Sequence, residues 1–232
     1  MTKLQVTSRI FDVNQRISQA CTEANRPRTE VTLLAVSKTK PLNDIIEAYQ
    51  AGQRHFAENY AQEAIEKFET APFTDAQWHF IGPLQSNKTK RIAETFDWVH
   101  TIDRMKIAQR LSDQRPDNLT PLNVLIQVNI SKDPAKAGVL PSQVTQMAQQ
   151  IAALPRLRLR GLMTITANGL EPAALEAQFK ELKKLQITLI TDHSECTELS
   201  MGMSNDFPLA IACGATMVRI GSDIFGTRTT TN

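Results

Sequence analysis

Eight short β-rich runs, each followed by a segment with helical periodicity, succeed one another through most of the chain. They lie at 32–38, 54–59, 78–82, 98–103, 123–130, 157–165, 198–202 and 217–221. Strict alternation of strand and helix is the signature of parallel βαβ units. Eight such units match the closure number of a (β/α)8 TIM-type barrel, which favours a closed barrel over an open sheet. The expectation is therefore an α/β protein, one barrel domain over 1–232, with an extra N-terminal helix within 1–25 and a frayed tail at 229–232.

The helical segments carry their own punctuation. Ile10, Val13, Ile17, Cys21 and Ala24 follow the spacing of one apolar helix face, and Arg26-Pro27-Arg28 ends it. Pro141 suits a first helical turn, Val144, Met147, Ala148 and Ile151 line one face, and Pro155 stops the run. A further helix is expected over 205–213, with Gly214 placed to terminate it. The stretch 186–190 (QITLI) has strand composition, but it reads as the end of a helix begun near Leu170.

Charge and cysteine usage exclude several classes. Of 232 residues, 26 are Lys or Arg and 24 Asp or Glu, a net charge of +2 spread along the chain. That balance predicts neither nucleic-acid nor membrane binding. No apolar run is long enough to cross a bilayer, and the N-terminus turns polar too soon for a signal peptide. Cys21, Cys196 and Cys213 are sparse and isolated, which argues for a reducing compartment and against a zinc site. A cytoplasmic location is expected.

Barrels of this type build their sites at the C-terminal ends of the strands. Lys38 ends the first run, sharing a face with Leu34 and Val36. Above an apolar floor its amine would be easier to deprotonate and suited to Schiff-base chemistry. The alternative is a rim lysine paired with a carboxylate such as Glu58. Asn59 ends the second run. Ser200 and Gly202 end the seventh with Ser204 just beyond it, and Arg219 and Gly221 end the eighth with Ser222 just beyond it. Loops after strands seven and eight often bind phosphate in such barrels, glycines letting the backbone approach and serines supplying hydroxyls. The alternative is that Ser204 simply caps a helix. Arg219, on the face of Gly221, is a fixed cation, either a donor to a ligand or half of a salt bridge. His55, His79, His100 and His193 have no metal-ligand spacing, and His79 reads as a hydrogen-bonded barrel histidine. The sequence has no GxGxxG and no P-loop, so a dinucleotide or nucleotide site has no support.

The segments LLAVSKTKP, HFAENYAQE, WHFIGPLQSNKTK, VNISKDPAKAGV, RGLMTI and LSMGMSNDFPLAIACGATMVRIGSDIFG resemble, in order, the motifs of the YggS/PROSC family, the pyridoxal phosphate homeostasis proteins. That family is similar to the barrel domain of alanine racemase. The resemblance implies pyridoxal 5′-phosphate as cofactor, held as a Schiff base on Lys38. It implies that Ser200, Gly221 and Ser222 hold the phosphate, that Arg219 faces the pyridine nitrogen, and that Asn59 lies close by. It also favours a carrier that binds, buffers and delivers the cofactor, transiently meeting apo enzymes, over a catalyst.

An amino-acid racemase is the main alternative, and a Schiff-base aldolase a remote one. A two-base racemase needs a second proton donor, which in alanine racemases is a tyrosine from a C-terminal domain of the partner subunit. The chain has only Tyr49 and Tyr60 and stops soon after the eighth run. The expectation is thus no robust catalysis, with residual racemase-like activity left open, and a monomer.

Overall fold

The computed structural model describes residues 4–167 and 169–226; the tail expected at 229–232 lies outside them. The helix expected within 1–25 is α1, Leu4–Glu23. The strands are β1 Thr32–Val36, β2 His55–Glu58, β3 Gln77–Phe80, β4 Trp98–Ile102, β5 Leu122–Gln127, β6 Leu157–Met163, β7 Glu198–Ser200 and β8 Met217–Ile220. They pair in sequence order, all parallel, and β8 returns to β1 with Leu34 opposite Arg219, so the barrel is closed. Between them run α2 Leu42–Gln50, α3 Ala61–Thr70, α4 Thr89–Thr95, α5 Met105–Gln114, α6 Val144–Ala152, α7 Pro172–Asp192 and α8 Phe207–Ala212. The short α9, Ser222–Phe225, follows β8.

Alternation along the strands divides the core in two. Leu34, Val36, Ala57, Ile81, Trp98, Leu125, Met163 and Met217 fill the barrel interior. Leu33, Ala35, Phe56, Phe80 and Val99 point outward into the larger core beneath the helices. Lys38 follows Leu34 and Val36 in this alternation, above the interior layer.

The strands stop earlier than the β-rich runs suggest. Pairing ends at Glu58, Phe80, Ser200 and Ile220. Asn59, Gly82, Gly202 and Gly221 therefore sit in the loops of the mouth. Composition marks a residue as suited to a strand, but the strand ends where its neighbours cease to offer ladder partners. Lys38 likewise falls in a turn beyond β1, where Thr39 takes a positive φ of 62°. The stretch 186–190 is helical within α7, with Gln186 and Leu189 buried. Helix α8 starts two residues later than expected, with Asp206 rather than Ser204 at its N-cap.

Helix α1 buries Ile10, Val13, Ile17 and Cys21 and lies against α2, α8 and α9. Each buried Val or Ile contributes on the order of 1.5–3 kcal/mol of transfer free energy. The consequence for the mouth is that α1 braces the loops after β7 and β8. Arg16 reaches Asp223 Oδ2 at 2.6 Å and the Ser204 carbonyl at 3.4 Å, with its guanidinium 4.8 Å from the Phe207 ring centre. Among the described residues, no helix is long and apolar enough to cross a membrane.

Candidate functional site

A cavity of about 830 Å³ opens at the C-terminal mouth of the barrel. Six residues singled out in the sequence line it together: Lys38, Asn59, Ser204, Arg219, Gly221 and Ser222. They come from four separate stretches of chain, at β1, β2, β7 and β8, and barrel closure between β8 and β1 is what joins them.

Lys38 is set by a polar cluster outside the barrel wall. The Ser37 hydroxyl donates to Glu58 Oε1 at 2.6 Å, and Lys67 Nζ donates to the Ser37 carbonyl at 2.8 Å. The Thr39 N–H donates to Glu63 Oε1 at 2.6 Å. Lys67 also pairs with Glu58 at 2.8 Å and Glu63 at 2.6 Å. Both neighbours of Lys38 are thus tied to α3 and β2, so the turn has little freedom to move the amine. Burial raises the Glu58 carboxyl pKa, against the opposing pull of Lys67, and Glu58 Oε2 is buried without a partner. Glu58, weighed above as a partner for Lys38, spends its contacts on Lys67 and Ser37.

Asn59 follows β2. Its Oδ1 is buried and has no partner, although the residue lines the cavity. Gly82 beside it carries no side chain for a steric reason: a Cβ would lie 2.0 Å from the Asn59 carbonyl oxygen. A larger residue there would displace the Asn59 backbone.

Arg219 is buried at the cavity floor. Nη1 donates to Ser200 Oγ at 2.8 Å and Nη2 to the Thr164 carbonyl at 2.9 Å. Among the described residues it forms no ion pair. Burial pulls its pKa down to about 10, partly offset by the charge of Asp206, so the guanidinium stays charged at neutral pH. The salt-bridge alternative for Arg219 is not what the structure contains.

Two expected phosphate contacts fall elsewhere. Ser200 does not line the cavity; it is fully buried beneath Arg219, between Arg219 and His100. It ends β7, and its side chain projects into the interior below the mouth rather than into the loop above. Gly202 has φ +93°, and a Cβ there would lie 2.7 Å from the Ala210 Cβ. It is a packing glycine that brings the loop down on α8. Ser204 and Ser222 do converge, their hydroxyls 3.3 Å apart, and Ser204 caps no helix. Asp223, next to Ser222, is neutralised by Arg16.

Sequence reasoning missed the residues that support these. His55, His79 and His100 are linked in a row: His55 Nδ1 to His79 Nε2 at 3.1 Å, His79 Nδ1 to His100 Nε2 at 3.0 Å, and His100 Nδ1 to Ser200 Oγ at 2.9 Å. The expected hydrogen-bonded role of His79 is part of this row. The signal was there: each histidine occupies an inward position on a successive strand. His55 pairs with Gln77, two before His79, and His79 pairs with Trp98, two before His100. A pattern that runs across three strands leaves no metal-ligand spacing within any one of them. Arg16 and Lys67 left no comparable mark, because their partners lie in other elements.

The family model described as alanine racemase, N-terminal domain, matches residues 13–229. The chain is 51% identical over 220 residues, 93% of each chain, to a pyridoxal phosphate homeostasis protein of Haemophilus influenzae. Among solved structures, an unknown protein from Bifidobacterium adolescentis superposes with a TM-score of 0.89 at 32% identity, over 96% of this chain and 95% of that one. PipY of Synechococcus elongatus, solved with PLP bound, gives a TM-score of 0.82 at 38% identity, over 96% of this chain and all of its own.

Proposed function

This chain belongs to the pyridoxal phosphate homeostasis proteins, within the alanine racemase N-terminal-domain family, and from that premise we propose that its mouth cavity binds pyridoxal 5′-phosphate and that the protein holds, buffers and hands on this cofactor. The observation that carries the reading is the meeting in one cavity of Lys38, Asn59, Arg219 and the Ser204–Gly221–Ser222 group. The residues fit the group chemically. Arg219 is a buried cation with no ion pair among the described residues, and Asn59 Oδ1 is a buried acceptor without a donor. The paired serine hydroxyls suit a phosphate, with Arg16 cancelling the carboxylate that would repel it.

When bound, pyridoxal phosphate supplies an aldehyde that condenses with an amine and a ring that withdraws electrons. Lys38 would provide the amine, held by the Ser37 and Thr39 anchors. Arg219 would face the ring nitrogen as a donor, and as a guanidinium it does not pass a proton to it. Asn59 would accept from a ring hydroxyl. Ser204, Ser222 and the backbone at Gly221 would hold the phosphate, while Ser200 acts on Arg219 from below.

Two-base racemisation needs an acid–base group on each face of the cofactor. Arg219 is a fixed cation, and Asp206 on the cavity wall accepts the Met203 N–H at 2.5 Å. Neither Tyr49 nor Tyr60 lines the cavity. On this geometry Lys40, which lines the wall, is the residue to examine if racemisation occurs. The carrier reading therefore has the better support. A cytoplasmic site of action, a monomer and transient contact with apo enzymes belong to the same reading. The buried thiols of Cys21, Cys196 and Cys213 suit a reducing compartment.

The test follows the cofactor. Borohydride reduction of loaded protein, then peptide mapping, should put the pyridoxyl mass on Lys38; a main adduct elsewhere overturns the assignment. Loaded protein should restore activity to an apo acceptor enzyme. With L-alanine in deuterium oxide it should give no more α-deuteration than free pyridoxal phosphate. Racemisation abolished by Lys38→Ala would overturn the carrier reading.

A further inference from the structure

The row of histidines beneath Arg219 does more than fill the barrel. It crosses the interior from the base to the mouth, since His55 opens β2 and Ser200 ends β7. His55 also lines a second pocket, of about 290 Å³, at the barrel base beside Asn14, Arg28 and Arg54. His79, His100 and Ser200 are fully buried between the two openings.

The hydrogens in such a row have only two consistent arrangements. Arg219 is donor-only, so Ser200 Oγ must accept from Nη1. The Ser200 hydroxyl proton then needs an acceptor. Among the described residues its other close partner is His100 Nδ1. If Nδ1 accepts, the neutral ring carries its proton on Nε2 and donates to His79 Nδ1. His79 in turn carries its proton on Nε2 and donates to His55 Nδ1. The reverse arrangement puts a proton on every Nδ1. Ser200 Oγ then accepts twice, and its hydroxyl hydrogen is left buried with no acceptor.

We propose that His100, His79 and His55 form a one-directional hydrogen-bond relay, each an Nε2–H tautomer, that fixes the Ser200 hydroxyl and thereby the orientation of Arg219 toward the cofactor ring. The three histidines are positioning residues; none is among those lining the mouth cavity. The role toward the ring rests on the pyridoxal phosphate reading above, whereas the direction of the relay does not. The electrostatics agree with neutral rings throughout. Burial and the Arg219 charge push the His100 pKa down to about 3, and burial with the neighbouring rings holds His79 well below its ordinary value. Burial alone lowers His55, at the pocket end.

The relay explains why a middle member should matter. His79 touches neither Arg219 nor Ser200 in the hydrogen-bond row, yet its Nδ1 holds the His100 tautomer. His79→Leu removes that acceptor. His79→Asn keeps one where Nδ1 stood.

Two measurements test this. The first is nitrogen-15 NMR of histidine-labelled protein without cofactor between pH 6 and 8, a working range about the unperturbed histidine pKa. His79 and His100 should both be neutral Nε2–H tautomers, and an Nδ1–H tautomer at either residue overturns the relay. The second compares loaded His79→Leu, His79→Asn and unaltered protein. The leucine variant should shift the absorption band of the bound cofactor and release it roughly threefold to tenfold faster, about the effect of one lost hydrogen bond. The asparagine variant should restore both. A folded leucine variant with unaltered band and release rate overturns the positioning role. If the leucine variant does not fold, the asparagine variant and the tautomers still decide. Unaltered protein that binds no pyridoxal phosphate would sink the preceding reading, and the tautomer measurement would still settle the direction of the relay.

Discussion

Behind the Lys38 turn, two carboxylates and an ammonium are packed together outside the barrel wall. Beneath Arg219, the interior instead holds one guanidinium on a row of neutral groups. In the first network, Glu58, Glu63 and Lys67 offset one another at 2.6–2.8 Å, and the backbone of Ser37 and Thr39 is hung from them. In the second, Arg219 has no ion pair among the described residues and leans on Ser200 and the Thr164 carbonyl. A cluster whose charged groups pair with one another holds a backbone turn firmly but presents no cation to a ligand. A cation solvated only by neutral dipoles keeps its charge available to whatever enters the cavity. The difference separates anchoring from recognition within one site.

The largest expected effect comes from unbalancing the charged cluster. Lys67→Met leaves Glu58 buried without its cation, and removing one partner of a buried pair costs about 3–5 kcal/mol. Urea unfolding should show that loss, and Glu58→Gln in the same chain should recover much of it. A Lys67→Met protein as stable as the original would mean the cluster is not what holds the turn.

A smaller effect distinguishes the neutral row. The folded pKa of His100 lies near 3, below the ordinary 6.5, so between those values the unfolded chain binds more protons. Stability is then fully present above about pH 6.5 and falls as pH drops toward 3, by up to about 1.4 kcal/mol per pH unit for one histidine. His79 acts in the same direction. The melting temperature should therefore fall from pH 7 to pH 5, and His100→Asn should flatten the slope. An unchanged slope in that variant would move the acid sensitivity elsewhere.

The smallest effect belongs to the exposed latch. Arg16 is about half exposed, so Arg16→Ala should cost no more than about 1 kcal/mol of stability. It should still weaken retention of pyridoxal phosphate several-fold while leaving pyridoxal unaffected, because it uncovers Asp223 beside the phosphate group. Equal weakening for both ligands would show that α1 supports the whole mouth rather than the phosphate end.

Much of the site could be read from the chain because strand ends in a parallel barrel face one mouth. Arg219 lies at the end of β8, Lys38, Asn59, Gly221 and Ser222 each follow a strand, and closure gathers them without further information. Ser200 and Gly202 stay out of the cavity lining for a definite reason. Whether a residue two or three positions from a strand end faces the cavity, the interior or a helix depends on where pairing stops, and β7 stops at Ser200.

Local pattern by itself determined the eightfold alternation, the interior layer and the lysine above it. Those properties depend on periods of two and of 3.6 residues, which the chain carries in its own order. The tertiary structure decided what joins across strands: that Glu58 takes Lys67, that three histidines line up under Ser200, and that α1 reaches Asp223. Such contacts depend on the stagger between neighbouring strands and on how helices settle over them. Those quantities are fixed by packing the whole barrel at once, and no single stretch of sequence contains them.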